Sequence, residues 1–201
     1  MPSRKQEALS RLDPRAPLVL DTQALGRRPG SMRTEHLVVP APADLGVEMV
    51  SVPRDADLEL DIRLEAVMEG VLISGTLSAP LEGECGRCLD PITSRFEGDF
   101  QELYVYPDTR SGGGAGEDEH RLDADLIDLE PVIRDAVVLN LPLSPLCRDD
   151  CPGLCSECGA RLADFETAAG IDHRHDVVDP RWAALQGLNP SPQLREESQE
   201  G

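Results

Sequence analysis

Apolar and charged residues alternate along the first half of the chain with the period of a β-strand. Over residues 58–66 the apolar positions fall on every second residue and the positions between them are charged, which predicts a strand with one face on a core. Glu69-Gly70 predicts a turn, and residues 71–77 predict a second strand. Residues 81–85, 92–100 and 103–106 continue the strand-like pattern. We therefore predict an antiparallel β region over residues 34–110.

The period changes to that of a helix over residues 128–139. Asp128 can cap the first turn, Pro131 is tolerated there, and the helix must end before Pro142. We predict a helix of about three turns within residues 121–145 that covers the sheet. Its apolar face would consist of Leu129, Val132, Ile133, Ala136, Val137 and Leu139.

The remaining segments lack a core-forming pattern. Residues 1–33 predict a basic, partly disordered arm, although Leu18-Val19-Leu20 could pair as a short strand and residues 27–30 predict an exposed basic turn. Residues 111–120 predict a flexible acidic Gly-rich loop. Residues 180–201 predict a short helix that begins at Pro180, with Trp182, Leu185 and Leu188 on one side, followed by a disordered tail.

The net charge of −19 is unevenly placed. Residues 1–33 carry seven Lys/Arg and three acidic residues, a balance of +4, so the rest of the chain carries −23. Such a surface repels phosphate backbones and fits a basic protein partner better, unless it serves only to keep the chain in solution. Direct RNA contact is expected only through the basic arm, at Arg27, Arg28 and Arg33.

Neither a membrane nor a secretory location is expected. No run approaches the roughly 18 to 20 apolar residues that span a bilayer, and the N-terminal residues lack the apolar stretch of a signal peptide. We therefore expect a cytoplasmic protein, in which thiols stay reduced and cysteine clusters indicate metal binding or catalysis rather than disulfides.

Six cysteines and two histidines are the candidate chemistry of the chain. They are Cys85, Cys88, Cys147, Cys151, Cys155, Cys158, His173 and His175. Thiolate and imidazole are the ligands that zinc prefers, and a C-x2-C loop lets two sulfurs reach one tetrahedral ion. These residues predict one or two structural zinc ions, and a fold class of α+β: antiparallel β-hairpins covered by a helix, with a C-terminal zinc-knuckle or ribbon segment over residues 146–179.

Two groupings of the eight ligands are open from sequence. In the first, which we favour, Cys85 and Cys88 join Cys147 and Cys151, while Cys155 and Cys158 join His173 and His175. In the second, the four cysteines from Cys147 to Cys158 form one site, and the other four residues form another. His-x-His departs from the usual spacing of finger histidines, so His173 and His175 are the weakest ligands. Gly86 is expected to allow a tight turn in the first pair, and Gly159 to supply a positive φ after the second.

The sequence contains no recognisable enzyme constellation. It lacks a phosphate loop ending in Lys-Ser/Thr, a G-x-S-x-G elbow and an H-E-x-x-H helix, and a zinc ion with four protein ligands has no open position. We therefore predict a protein that is not an enzyme and has no small-molecule substrate. The alternative function is a thiol-redox or zinc-sensing regulator that uses Cys85 and Cys88; an RNA-processing enzyme is the least favoured.

Two segments around the cysteines resemble a known family. The order Cys85-x2-Cys88-Leu89-x-Pro91, then Leu141-Pro142-Leu143-x-Pro145-x-Cys147-x3-Cys151-x-Gly153-Leu154-Cys155-x2-Cys158-Gly159, resembles the YceD family of large ribosomal RNA subunit accumulation proteins. Residues 27–30 and 179–182 are also similar to family segments. The resemblance implies a bacterial, cytoplasmic factor in ribosome biogenesis, needed for normal accumulation of large-subunit rRNA, with a ribosomal protein or pre-ribosomal particle as its partner. Many family members carry Cys-x-Cys where this chain has His173-x-His175, which implies that the histidines keep a ligand role.

Overall fold

The computed structural model describes residues 11–108 and 120–175. The chain divides into two compact units, residues 1–151 and 152–201. In the described part of the first unit, an antiparallel sheet of six strands and one helix form an α+β fold.

The main sheet consists of strands β2 to β7. The strand order is β2-β5-β6-β4-β3, and β7 pairs with the other edge of β6. The strands are β2 (Met32–Pro40), β3 (Gly46–Val47), β4 (Val50–Ser51), β5 (Asp57–Ala66), β6 (Gly70–Glu84) and β7 (Pro91–Val105). Strands β6 and β7 form one long hairpin, paired from Gly70↔Val105 to Glu84↔Pro91.

Alternation along β5 places its apolar side chains on the core face. Leu58, Leu60, Ile62, Leu64 and Ala66 are buried, while the charged residues between them face outward. In β6 the odd-numbered residues from Val71 to Leu81 take the same face, with Gly75 among them. Across from these, β7 contributes Phe96, Phe100 and Tyr104. Period-two patterning therefore defines the sheet as the sequence indicates.

Part of the predicted N-terminal arm packs into this core. Leu18, Leu20 and Leu25 are buried, and β1 (Val19–Asp21) pairs with β8 (Leu126–Asp128) through Leu20↔Ile127. These leucines lie within the stretch that the sequence predicts as a basic, partly disordered arm. Residues 1–10 of the predicted arm lie outside the described residues.

Helix α1 (Glu130–Val138) is shorter than the sequence predicts. Leu129 is the N-cap residue, and the Asp128 carboxylate accepts a 3.0 Å hydrogen bond from the Glu130 N–H. Val132, Ile133 and Val137 are buried, and α1 packs against β7 and β3. Leu139, assigned to the apolar face from sequence, is instead 80% exposed, because the helix ends at Val138 and the chain turns away.

The described part of the second unit is small. A 3-10 helix (Leu162–Phe165) is followed by the two-residue strands β9 (Glu166–Thr167) and β10 (Gly170–Ile171). No helix in the described residues is long and apolar enough to cross a bilayer. Residues 111–119 of the predicted loop, and the predicted helix with Trp182, Leu185 and Leu188, lie outside the described part of the chain.

Candidate metal centres

The first cluster joins the tip of the β6–β7 hairpin to the segment that follows α1. Cys85 and Cys88 lie at the hairpin tip, and Cys147 and Cys151 lie in the later segment. The Sγ atoms of Cys85 and Cys151 are 3.8 Å apart, and those of Cys88 and Cys147 are 3.6 Å apart. All four sulfurs lie within 4.8 Å of one another.

These distances fit the edges of a zinc tetrahedron. With a Zn–S bond of about 2.3 Å, ligand sulfurs stand about 3.8 Å apart, whereas a disulfide needs about 2.05 Å. All six cysteines are free thiols. The four sulfurs can therefore hold one tetrahedral ion with no position left open for a substrate.

Two hydrogen bonds and a glycine hold the hairpin tip against the later segment. The Gly86 N–H donates to the Pro145 carbonyl at 2.7 Å, and Arg87 Nη1 donates to the Cys151 carbonyl at 2.9 Å. A Cβ on Gly86 would collide with Ser144 Oγ. Gly86 thus lies close against the later segment, as a tight turn there allows, and it is not among the glycines with positive φ. The left-handed residue of this turn is Leu89, with φ of 62°.

Backbone N–H groups favour the thiolate form of Cys85 in the first cluster, whereas burial opposes it. Cys85, Cys88 and Cys151 are buried, with exposed fractions of 0%, 7% and 3%, whereas Cys147 is exposed. The backbone N–H groups of Cys88 and Arg87 donate to the Cys85 sulfur and lower its pKa to about 6. At Cys88 the Asp90 N–H also favours thiolate, but burial and the neighbouring Cys85 thiol raise the pKa overall. A bound divalent cation would deprotonate such thiols.

The second cluster brings Cys155 and Cys158 to His173 and His175. Cys158 Sγ lies 3.4 Å from His173 Nε2, and the two Nε2 atoms lie 2.8 Å apart. Zinc bond lengths give about 3.5 Å for an S–N edge and about 3.3 Å for an N–N edge. The sulfur–nitrogen distance fits a zinc site, and the imidazoles would separate by about half an ångström to accept the ion.

His173 and His175 follow the β9–β10 hairpin, and the residue just before them is hydrogen-bonded to the 3-10 helix. The Asp172 N–H donates to the Phe165 carbonyl at 3.1 Å. The Phe165 ring then packs on the His173 imidazole, with ring centroids 4.4 Å apart. Phe165 thus orients a candidate ligand, a role for which the sequence carries no distinctive signal.

The two C-x2-C turns have the same backbone structure. Cys85 N–H donates to Asp90 O, and Cys155 N–H donates to Ala160 O, both at 2.8 Å. The N–H of the residue after each second cysteine, Leu89 or Gly159, returns to the first cysteine's carbonyl at 2.9 Å.

The two C-x2-C turns share three further features. Gly159 has a φ of 71°, close to that of Leu89, and this confirms the positive φ expected there. The flanking residues pair in the same register, Glu84↔Pro91 in one turn and Leu154↔Arg161 in the other. In the second turn the backbone N–H groups of Cys158 and Glu157 lower the pKa of Cys155, just as their counterparts act on Cys85. We refer to these turns as the first and second knuckles, residues 84–91 and 154–161.

The structure groups the eight side chains as in the first of the two arrangements left open by the sequence. In the described residues, the four cysteines from Cys147 to Cys158 do not form a common cluster. That either cluster binds zinc stays a prediction.

Two of the three arginines expected to contact RNA, Arg27 and Arg33, take part in ion pairs within the protein. Arg27 lies 3.1 Å from Asp108, and its guanidinium stands 4.8 Å from the centroid of the Tyr106 ring. Arg33 pairs with Glu35. Arg28 is exposed. These contacts reduce the basic surface that the N-terminal segment can offer to a phosphate backbone.

The family is shown by comparison with known proteins. The family model described as large ribosomal RNA subunit accumulation protein YceD matches residues 73–189, a stretch that contains all eight candidate ligands. The chain belongs to the YceD family. No solved structure matches it.

Three relatives of this YceD-family chain are described as uncharacterised proteins. A Mycobacterium tuberculosis protein is 47% identical over 171 residues, covering 85% of this chain and 80% of the relative. A Mycobacterium leprae protein is 41% identical over 172 residues, covering 85% and 76%. A Bacillus subtilis protein is 28% identical over 131 residues, covering 64% and 69%.

Proposed function

We propose that this chain is a non-enzymatic factor of the bacterial cytoplasm that supports accumulation and assembly of the large-subunit rRNA. The observation that carries this proposal is the YceD family match over residues 73–189. The family description names accumulation of large-subunit rRNA and no catalytic activity.

Zinc would serve the fold in this proposal. In the first cluster, four sulfurs at tetrahedral spacing leave no open coordination position, which is the pattern of a structural site. The ion would tie the β6–β7 hairpin to the segment after α1. Because zinc binding free energy adds to folding free energy, it would stabilise a core that is poor in aromatic residues.

We favour a basic protein as the partner, either a ribosomal protein or a protein of a pre-ribosomal particle. The outward face of the sheet exposes Glu59, Asp61, Glu97 and Asp99 around Thr76. Arg95 neutralises part of this surface through Glu59, and His36 Nδ1 lies 2.8 Å from Asp61 Oδ1, but the chain as a whole keeps a net charge of −19. An acidic surface attracts basic chains and repels free RNA.

Burial argues against the alternative redox function at Cys85 and Cys88. Reactive cysteines are accessible thiolates, whereas these two side chains are 0% and 7% exposed. A regulator that used this pair would first have to open the hairpin tip.

The proposed function is tested by the ratio of mature large- to small-subunit rRNA in a strain that lacks this gene. We expect the ratio to fall and the wild-type gene to restore it. The C85S/C88S variant should restore it poorly, because it loses the first centre, whereas S156A, an exposed change within the second knuckle, should restore it fully. An unchanged ratio in the deletion strain would overturn the proposal.

A further inference from the structure

The described part of the second unit has no hydrophobic core of its own. Among residues 152–175 no hydrophobic side chain is buried: Phe165 and Ile171 are 38% and 44% exposed, and Leu154 and Leu162 are only half-buried. A chain segment this short does not normally hold a structure without a core, a disulfide or a metal. Its cysteines are free thiols.

The two knuckles have the same turn geometry but differ in the structure that supports the turn. The first knuckle caps a ladder in which each of the fifteen residues of β6 is paired with β7, over the buried core of the first unit. The second knuckle is flanked by the single bridge Leu154↔Arg161. The same backbone geometry therefore rests on a hydrophobic core in one unit and has no such support in the described part of the other.

The two clusters also differ in their access to solvent. Three of the four cysteines of the first cluster are buried. In the second, Cys158 and His175 are exposed and Cys155 and His173 are only half-buried. Apolar surroundings control solvent access to a metal site, so water and competing ligands can reach the second cluster directly.

We propose that the second cluster is a conditional zinc centre: residues 152–175 fold when Cys155, Cys158, His173 and His175 hold an ion, and unfold when the ion leaves. Binding free energy then acts as the folding free energy of this segment. The first centre keeps its ion because burial protects it. The state of the second unit thus follows zinc availability while the sheet unit stays folded. This inference rests on the zinc binding included in the proposed function and adds its regulation.

The proposal is tested on the full-length protein loaded with zinc. A chelator is added in steps, released zinc is counted, and backbone amide hydrogen exchange is followed by mass spectrometry. We expect one ion to leave first, together with loss of protection at the amides of Cys155, Gly159, Leu162 and Asp172, which donate backbone hydrogen bonds. Protection of β5 to β7 should persist at that point, and added zinc should reverse the change.

Three results would overturn the proposal. They are release of both ions in one step, persistent protection of residues 152–175 after their ion has left, and a fully loaded protein with no ion in the second cluster. None of these bears on the rRNA ratio, so the conditional centre can fail while the proposed function stands.

Matched variants make the test specific. C155S/C158S should lack protection in residues 152–175 at every zinc concentration, whereas S156A should behave as wild type. H173C/H175C replaces imidazole by thiolate and keeps four ligands for zinc, so it should regain protection on addition of zinc. Protection in C155S/C158S equal to wild type would contradict a fold that depends on the metal.

Discussion

Leu89 occupies the left-handed position of the first knuckle that Gly159 occupies in the second. A side chain in this conformation costs about 1–2 kcal/mol, and glycine avoids that strain. The Leu89 side chain is 55% exposed, so little burial compensates for it. The first knuckle therefore carries strain that the second does not.

Leu89→Gly should stabilise the protein. Relief of the strain exceeds the roughly 0.5–1 kcal/mol of extra chain entropy that glycine brings, so we expect the free energy of unfolding to rise by up to about 1 kcal/mol. Denaturant titration of the zinc-loaded protein measures it. Leu143→Gly is the control: Leu143 is 86% exposed and is not among the residues with positive φ, so the same change there should destabilise. Equal destabilisation by both variants would contradict the account.

Gly75 lies at a position of the sheet that has no room for a side chain. A Cβ there would collide with the Asp61 carbonyl oxygen and lie 2.9 Å from the Phe100 ring. Backbone in a central strand cannot move aside easily, so Gly75→Ala should lower the free energy of unfolding by about 1–3 kcal/mol. Thr76→Ser, on the exposed neighbour, should stay within about 0.5 kcal/mol. Thermal unfolding compares the two, and a silent Gly75→Ala would show that the strand has room.

At the scale of elements, α1 contributes to the core through one narrow face. Ile133 is fully buried, and Asp135, two residues later, is exposed. Ile133→Ala should cost about 2–5 kcal/mol through lost burial and a cavity. Asp135→Ala should change the stability by less than about 0.5 kcal/mol. Urea unfolding of both variants measures the difference, and a similar effect of the two would mean that α1 does not cover the sheet.

The long strands could be predicted because apolar and polar residues alternate in their sequence. Every second residue of β5 is apolar, so its buried face can be derived without a structure. The end of α1 was not predictable, because Leu139 continues the helical period beyond the last helical residue and nothing in the local pattern separates it from Val137. Strand β1 was only a possibility, since its pairing with β8 depends on residues more than a hundred positions away.

Sequence also identifies candidate ligands better than it identifies their grouping. C-x2-C spacing names two cysteine pairs, but distance along the chain does not say which residues meet. The meeting of Cys88 with Cys147 depends on how the long β6–β7 hairpin reaches the segment after α1. That geometry follows from strand length and helix position, which local patterns do not fix.

The whole molecule is expected to hold two zinc ions, one in each of the two separate clusters. The most direct test counts zinc by native mass spectrometry in the wild-type protein and in C155S/C158S/H173N/H175N. We expect two ions per wild-type chain and one in the variant, because the first cluster keeps its four cysteines. In the competing arrangement both sites would lose ligands, so a variant without zinc would contradict the grouping, and a wild-type protein without zinc would contradict the account itself.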